Sequence, residues 1–159
     1  MDCVPRHFLR RPVARVPRLG RMLFDTNVVL DVLLDREPFA TIGAHLFSHV
    51  ERGTLPGYVC ATTVTTVHYL TQKALGAEQA RQKIRNLMKL FEVAPVNRAV
   101  LESALASRLV DFEDAVVHEA ALHVGAEGIV TRDPAGFKGA RLPVYAPDEL
   151  WKALQTRQS

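Results

Sequence analysis

Short β-prone apolar runs alternate with stretches of helical periodicity from Met22 to the end of the chain, and that alternation restricts the fold more than any single residue does. Met22–Phe24 and the runs 57–61, 91–96, 128–132 and 142–145 read as strands, being short, apolar and bounded by glycine, proline or polar residues. Between them, 27–34, 39–52, 62–75, 77–90, 100–106 and 111–124 place apolar residues three and four apart, and a last helix is expected over 148–154. Gly53, Gly76 and Gly125 stand where three of these helices should stop, and Pro38 is expected at the first helical position of the second. Strands that alternate with helices cannot pair as hairpins. The expected fold is therefore α/β, a parallel sheet with helices on both faces.

With 159 residues, 48% of them apolar and 23% charged, the chain has the size and composition of one soluble domain with a sizeable core. Cys3 and Cys60 form no CxxC or Cys/His cluster, so neither a disulfide framework nor a zinc site is indicated, and a reducing, cytoplasmic setting is expected. No apolar run approaches the roughly 18 residues of a membrane helix. The net charge of +3 is unevenly spread: residues 1–21 hold six arginines against the single acid Asp2, leaving 14 basic and 16 acidic residues after them. Residues 1–21 are thus expected to be a disordered basic extension, and 22–154 the folded domain. A basic arm adds sequence-independent attraction to nucleic acid; the bland alternative is that translation begins at Met22.

Four acids fall where such a sheet would gather them. Asp25 ends the first strand, at the edge where parallel sheets bind ligands, and it is equally a good helix N-cap. Asp111 and Asp114 share one face of a helix's first turn, an arrangement that also resembles a capping box. Asp133 precedes Pro134, which pushes it away from helical geometry into a turn beyond the strand end. Carboxylates brought together repel one another, a divalent cation relieves the repulsion, and oxygen-only ligands point to Mg²⁺ or Mn²⁺. The cluster Thr62, Thr63, Thr65 and Thr66 opens a helix and can cap it or turn hydroxyls into a site. His45 and His49 lie one turn apart without an acidic neighbour, and are expected on a solvated or boundary face. In the amphipathic helix 77–90, Ala80, Ile84, Leu87 and Met88 form the expected apolar face, and its basic residues read as a solvated face.

In order and spacing, Asp25-Thr26-Asn27, Asp111-Phe112-Glu113-Asp114-Ala115 and Ile129-Val130-Thr131-Arg132-Asp133 resemble the motifs of the PIN domain, over residues 22 to about 152. The tail, with Leu142-Pro143-Val144-Tyr145 and Pro147-Asp148-Glu149-Leu150, is similar to the end of one PIN subgroup. The resemblance implies a three-layer α/β/α sandwich and metal-dependent endoribonuclease activity like that of VapC-type toxins, with RNA as substrate, a small antitoxin as partner and a homodimer as a common state. It assigns Asp25, Asp114 and Asp133 to catalysis and to holding Mg²⁺ or Mn²⁺, adds Asp111 as a further carboxylate, and places Asn27, Thr66 and Thr131 in support behind them. One departure stands out: where the pattern has its second acid, a glutamate in the helix after the second strand, this chain has Thr66. The alternative reading that follows is a non-catalytic PIN-like module that binds RNA or protein through an incomplete metal site. An aspartyl phosphotransferase of the haloacid dehalogenase type is disfavoured, because it needs a second aspartate where Asn27 stands.

Overall fold

The structure, a computed structural model, describes residues 19–158. Five strands, β1 (Met22–Phe24), β2 (Gly57–Cys60), β3 (Glu92–Ala94), β4 (Gly128–Val130) and β5 (Val144–Tyr145), form one parallel sheet in the order β3-β2-β1-β4-β5. Seven α-helices are described: α1 (Thr26–Leu33), α2 (Phe39–Glu51), α3 (Ala61–Leu75), α4 (Ala77–Leu90), α5 (Arg98–Leu105), α6 (Phe112–His123) and α7 (Pro147–Gln158). The expected α/β architecture with a central parallel sheet is what the chain adopts. Phe24 aligns with Val59 on one side and Val130 on the other, so the carboxyl ends of the three central strands stop at one level.

Side chains alternate across each strand, and the sheet accordingly separates two cores. Met22, Phe24, Val59 and Val130 pack under α1 to α4 and α7, whereas Leu23, Ala94 and Ile129 pack under α5 and α6. Burial on both faces is why the strands read as continuous apolar runs. The Phe24 ring meets Phe91 at 5.1 Å and Phe47 at 6.0 Å, both edge-on. Phe91 thus serves the core as the cap of α4, and β3 is shorter than the expected 91–96.

Several expectations need correction. Leu19, assigned to the extension, is buried at 6% exposure in the core; its carbonyl accepts from Arg157 Nη1 at 3.3 Å, and the Arg21 carbonyl accepts from the Glu127 N–H at 2.7 Å. Residues 19–21 therefore pack with the folded body, and residues 1–18 of the expected extension lie outside the described residues. At the other end α7 runs past 154, because Gln155-Thr156-Arg157-Gln158 contains no helix breaker. His49 is buried rather than on a solvated or boundary face: its Nδ1 meets Thr54 Oγ1 at 2.8 Å, and burial, with the charges of Arg52 and His45 added, holds its pKa below the ordinary value. Its neighbour His45 stacks on Trp151 with ring centroids 4.5 Å apart. Met88 is 52% exposed, since the buried seam of α4 runs through Ala80 and Leu87 and leaves Met88 to one side. Among the described residues no helix is long and apolar enough to cross a membrane.

Candidate active site

Because β1, β2 and β4 are parallel neighbours, the residues that follow them share one edge of the sheet. Winding reverses at β1, with β2 and β3 added on one side and β4 and β5 on the other. In open parallel sheets such a reversal leaves a crevice outside the strand ends, and ligands bind there. Asp25 stands at the end of β1 and Thr131 to Asp133 at the end of the adjacent β4.

Asp25 is 7% exposed and tightly held. Its Oδ1 accepts from the Thr26 N–H at 2.8 Å, which caps α1, and its Oδ2 accepts from the Thr131 hydroxyl at 2.8 Å. The capping and site-facing readings of this residue are therefore compatible. Thr131 Oγ1 in turn accepts from Asn27 Nδ2 at 3.2 Å and from the Asp133 N–H at 3.1 Å, while Asn27 Oδ1 accepts from the Arg132 N–H at 3.1 Å. These bonds tie the start of α1 to the end of β4 and fix the orientation of the Asp25 carboxylate. A second tie lies one turn further along α1, where buried Asp31 pairs with the Arg132 guanidinium, whose Nη2 donates to Asp31 Oδ1 at 3.2 Å. That guanidinium also lies over the Phe39 ring, 4.1 Å from its centroid.

Asp114 arrives from the other side, in the first turn of α6. Asp111 is the N-cap of that helix, its Oδ1 accepting from the Asp114 N–H at 3.0 Å, so one Asp111 oxygen is committed to the cap. The Asp114 side chain is free to face the crevice. A methyl group on Gly136, in the 3-10 turn Pro134–Phe137, would stand 2.7 Å from Asp114 Oδ2 and 3.1 Å from Asp133 Oδ2, so both carboxylates converge on the space that this glycine leaves open.

Asp25, Asn27, Thr66 and Asp114 line one cleft of about 610 Å³, a volume in the range of ligand sites. Asp111, Thr131 and Asp133 are not among its lining residues. Among the lining residues not singled out from the sequence as site residues are Glu113, Phe112, Leu101 and Arg36. For Glu113 and Phe112 a signal existed, since they sit inside the Asp111–Asp114 motif; Arg36 and Leu101 reach the cleft only through tertiary packing. The threonine cluster becomes a hydroxyl-bearing wall, with Thr62, Thr63, Thr65 and Thr66 all lining the cleft and Thr63 Oγ1 3.0 Å from Thr26 Oγ1.

Electrostatics shows that the acids sense one another. Burial raises the pKa of Asp25, the Thr131 and Thr26 hydrogen bonds oppose that rise, and the charges of Asp133 and Asp111 add to it. Asp114 is pushed from 3.8 up to about 6, first by burial and then by the charges of Asp25, Asp111, Asp133 and Glu113. Among the described residues no three His, Cys, Asp or Glu side chains are gathered closely enough to hold an ion between them. Mg²⁺, however, is usually bound by one or two carboxylates completed by water and substrate phosphate. An all-oxygen donor set carrying surplus negative charge, with Asp25 and Asp114 on one cleft, fits an ion of that kind.

A family model for the PIN domain matches residues 21–135, most of the chain, including Asp25, Asn27, Thr66, Asp111, Asp114, Thr131 and Asp133. The chain belongs to the PIN domain family. Solved structures agree on the fold of this PIN domain. It is similar, at 11% identity and a TM-score of 0.65, to the structure titled VapBC2 from Rickettsia felis bound to a DNA fragment from its promoter, covering 79% of this chain and 98% of that one. Similarity to a toxin-antitoxin complex from Klebsiella pneumoniae is at 20% identity and a TM-score of 0.62, covering 79% and 97%. For VapC20 from Mycobacterium tuberculosis, described as a Sarcin-Ricin loop cleaving toxin, identity is 14% and the TM-score 0.55, covering 68% and 86%. No curated protein matches the chain.

Proposed function

We propose that this PIN domain is a divalent-metal-dependent endoribonuclease that hydrolyses RNA phosphodiester bonds, and that it is the toxin of a toxin–antitoxin pair with a small antitoxin as its partner. The observation that carries the reading is the pairing of Asp25 and Asp114 on one cleft, with Asp114 raised to about pKa 6 by burial and then by the charges of Asp25, Asp111, Asp133 and Glu113. Asp25 and Asp114 would hold Mg²⁺ or Mn²⁺, with Asp133 beside Asp114 as a third carboxylate and Asp111 acting chiefly as the helix cap. When bound, such an ion supplies Lewis-acid stabilisation of the phosphate and a water of lowered pKa.

The chain's own residues supply the rest. Thr26 and Thr131 hold the Asp25 carboxylate in one orientation, and Asn27 locks Thr131 in turn. The hydroxyls of Thr62 and Thr66 offer donors to non-bridging phosphate oxygens without adding charge to an already acidic cleft. Among the described residues no histidine lines the cleft, so the proposal assigns no imidazole as base. Support for an RNA substrate comes from the described activity of the Mycobacterium tuberculosis relative, and support for an antitoxin from the complexes named above. The second reading, a non-catalytic RNA- or protein-binding module, is favoured by one observation: a threonine lines the cleft where the family pattern has an acid.

The deciding experiment pairs thermal melts with RNA cleavage, with and without Mn²⁺. The wild-type protein is expected to melt higher with Mn²⁺ and to cut single-stranded RNA, and Asp25→Asn and Asp114→Asn to lose both properties. Wild-type cleavage by either variant sinks the assignment at that residue. Metal stabilisation or RNA binding without any cleavage selects the non-catalytic reading.

A further inference from the structure

Resting on the ribonuclease reading, this inference concerns how a polyanion enters a cleft lined by Asp25, Glu113 and Asp114. A phosphodiester meets like charge there, and a cation must offset it along the approach. Among the described residues, Arg36 is the only arginine or lysine that lines the cleft. The other nearby arginine, Arg132, is already paired with Asp31 and stacked on Phe39.

Arg36 is placed firmly by its backbone, while among the described residues its guanidinium has no partner. Asp35, just before it, holds φ at 54°, a left-handed conformation that non-glycine residues seldom adopt and that recurs at functional turns. Across this turn between α1 and α2, the Arg36 N–H donates to the Asp31 carbonyl at 2.8 Å and the Arg36 carbonyl accepts from the Ala40 N–H at 2.8 Å. The adjacent Glu37 carboxylate is turned to Thr41, with Oε1 accepting from the Thr41 hydroxyl at 2.6 Å. Among the described residues Arg36 therefore has no ion pair, although acids precede it, follow it and line the same cleft. Phe112, the first residue of α6, lines that cleft as well and leaves 46% of its surface exposed. A guanidinium carried on a fixed backbone and an exposed ring on one acidic cleft are the two elements that sequence-tolerant single-strand binding uses, one for the backbone phosphate and one for a base.

We infer that Arg36 pairs with a backbone phosphate of single-stranded RNA and that Phe112 stacks a neighbouring base, so that the two position the strand across Asp25 and Asp114. Both are positioning residues.

The test measures binding of a short fluorescent single-stranded RNA to the full-length protein over a series of salt concentrations in Mg²⁺, in an Asp25→Asn background to suppress cleavage. Arg36→Gln is expected to weaken binding several-fold and to reduce the slope of log affinity against log salt by about 0.7, the share of one phosphate on a single strand. Arg36→Lys should restore the slope, because the charge is what the salt reports. Phe112→Ala should weaken binding with the slope unchanged, since stacking releases no counterions. In the cleaving protein Arg36→Gln should raise KM far more than it lowers kcat. Equal melting temperatures for all variants, expected for exposed side chains, confirm that folding is not what changed. The inference is overturned if Arg36→Gln binds with wild-type affinity and slope, or if Phe112→Ala binds as wild type. In either case wild-type cleavage still supports the ribonuclease reading, so the two fail separately. If no RNA is bound or cut by the wild-type protein, both fail together.

Discussion

At Asp114, burial and neighbouring charge make the ionised side chain a local cost to folding, which on the proposed function a bound cation would relieve. Its pKa is raised from 3.8 to about 6, so the native state favours the protonated carboxyl. A raised carboxyl pKa stabilises the fold below the unfolded value, and that contribution is lost as pH rises through the folded one. Metal-free wild-type protein should therefore lose stability relative to Asp114→Asn as pH rises between those two values, with no further divergence above them. Thermal melts in chelator across that interval check the sign. A difference independent of pH would show that burial and the neighbouring charges do not raise the Asp114 pKa. On the proposed function Thr66 is the other residue of interest, since at the place where the resemblance expects an acid it lines the cleft with a hydroxyl, one carboxylate fewer but still a hydrogen-bond donor.

At the level of elements, α6 carries both the fold and the site. Seven consecutive residues, Ala115 to Ala121, are buried, and the three alanines among them let the helix lie close to the sheet and bring Asp114 to the strand ends. Asp111 fixes where that helix begins. Asp111→Ala should cost about 1 kcal/mol through loss of the cap, whereas Asp111→Ser should keep the cap and most of the stability. Urea denaturation of the two variants separates them, and repeating it with Mn²⁺ extends the result to the site. If the serine variant keeps its stability yet loses the gain from Mn²⁺, Asp111 holds the ion as well as the helix. Another shared element is the 3-10 turn, where Pro134 keeps Asp133 out of helical geometry and Gly136 leaves room for two carboxylates.

Viewed as a whole, the molecule covers one sheet face with five helices and the other with two. On α3 and α4, flanking Gly76, Tyr69 is 57% exposed, Met88 52% and Leu75 36%, an amount of apolar surface that a single copy leaves in water. We expect a homodimer that covers part of this surface. Sedimentation at micromolar concentration should give twice the monomer mass, and Met88→Glu should shift it toward monomer without lowering the melting temperature. Monomer alone for the wild-type protein would dismiss the idea.

The alternation of apolar runs with helical periods determined the α/β class, because local patterning sets the elements and elements of that order can pair only in parallel. Breakers and caps located most helices for the same local reason: Gly53, Gly76 and Gly125 are all in the left-handed region at helix ends, and Asp111 and Asp25 cap the helices that follow them. The motifs around Asp25, Asp114 and Asp133 were legible as chemistry, since each acid sits at the end of an element. Their mutual geometry was not. Only the strand order, with β4 beside β1, brings Thr131 under Asp25 and Asp133 toward Asp114 across more than a hundred and about twenty residues of sequence respectively. The burial of His49 against Thr54, the anchoring of Leu19, the pairing of Asp31 with Arg132 and the presence of Arg36 at the cleft depend likewise on contacts between elements. Periodicity records which way a side chain faces along its own element, but it holds no information about which element will lie opposite.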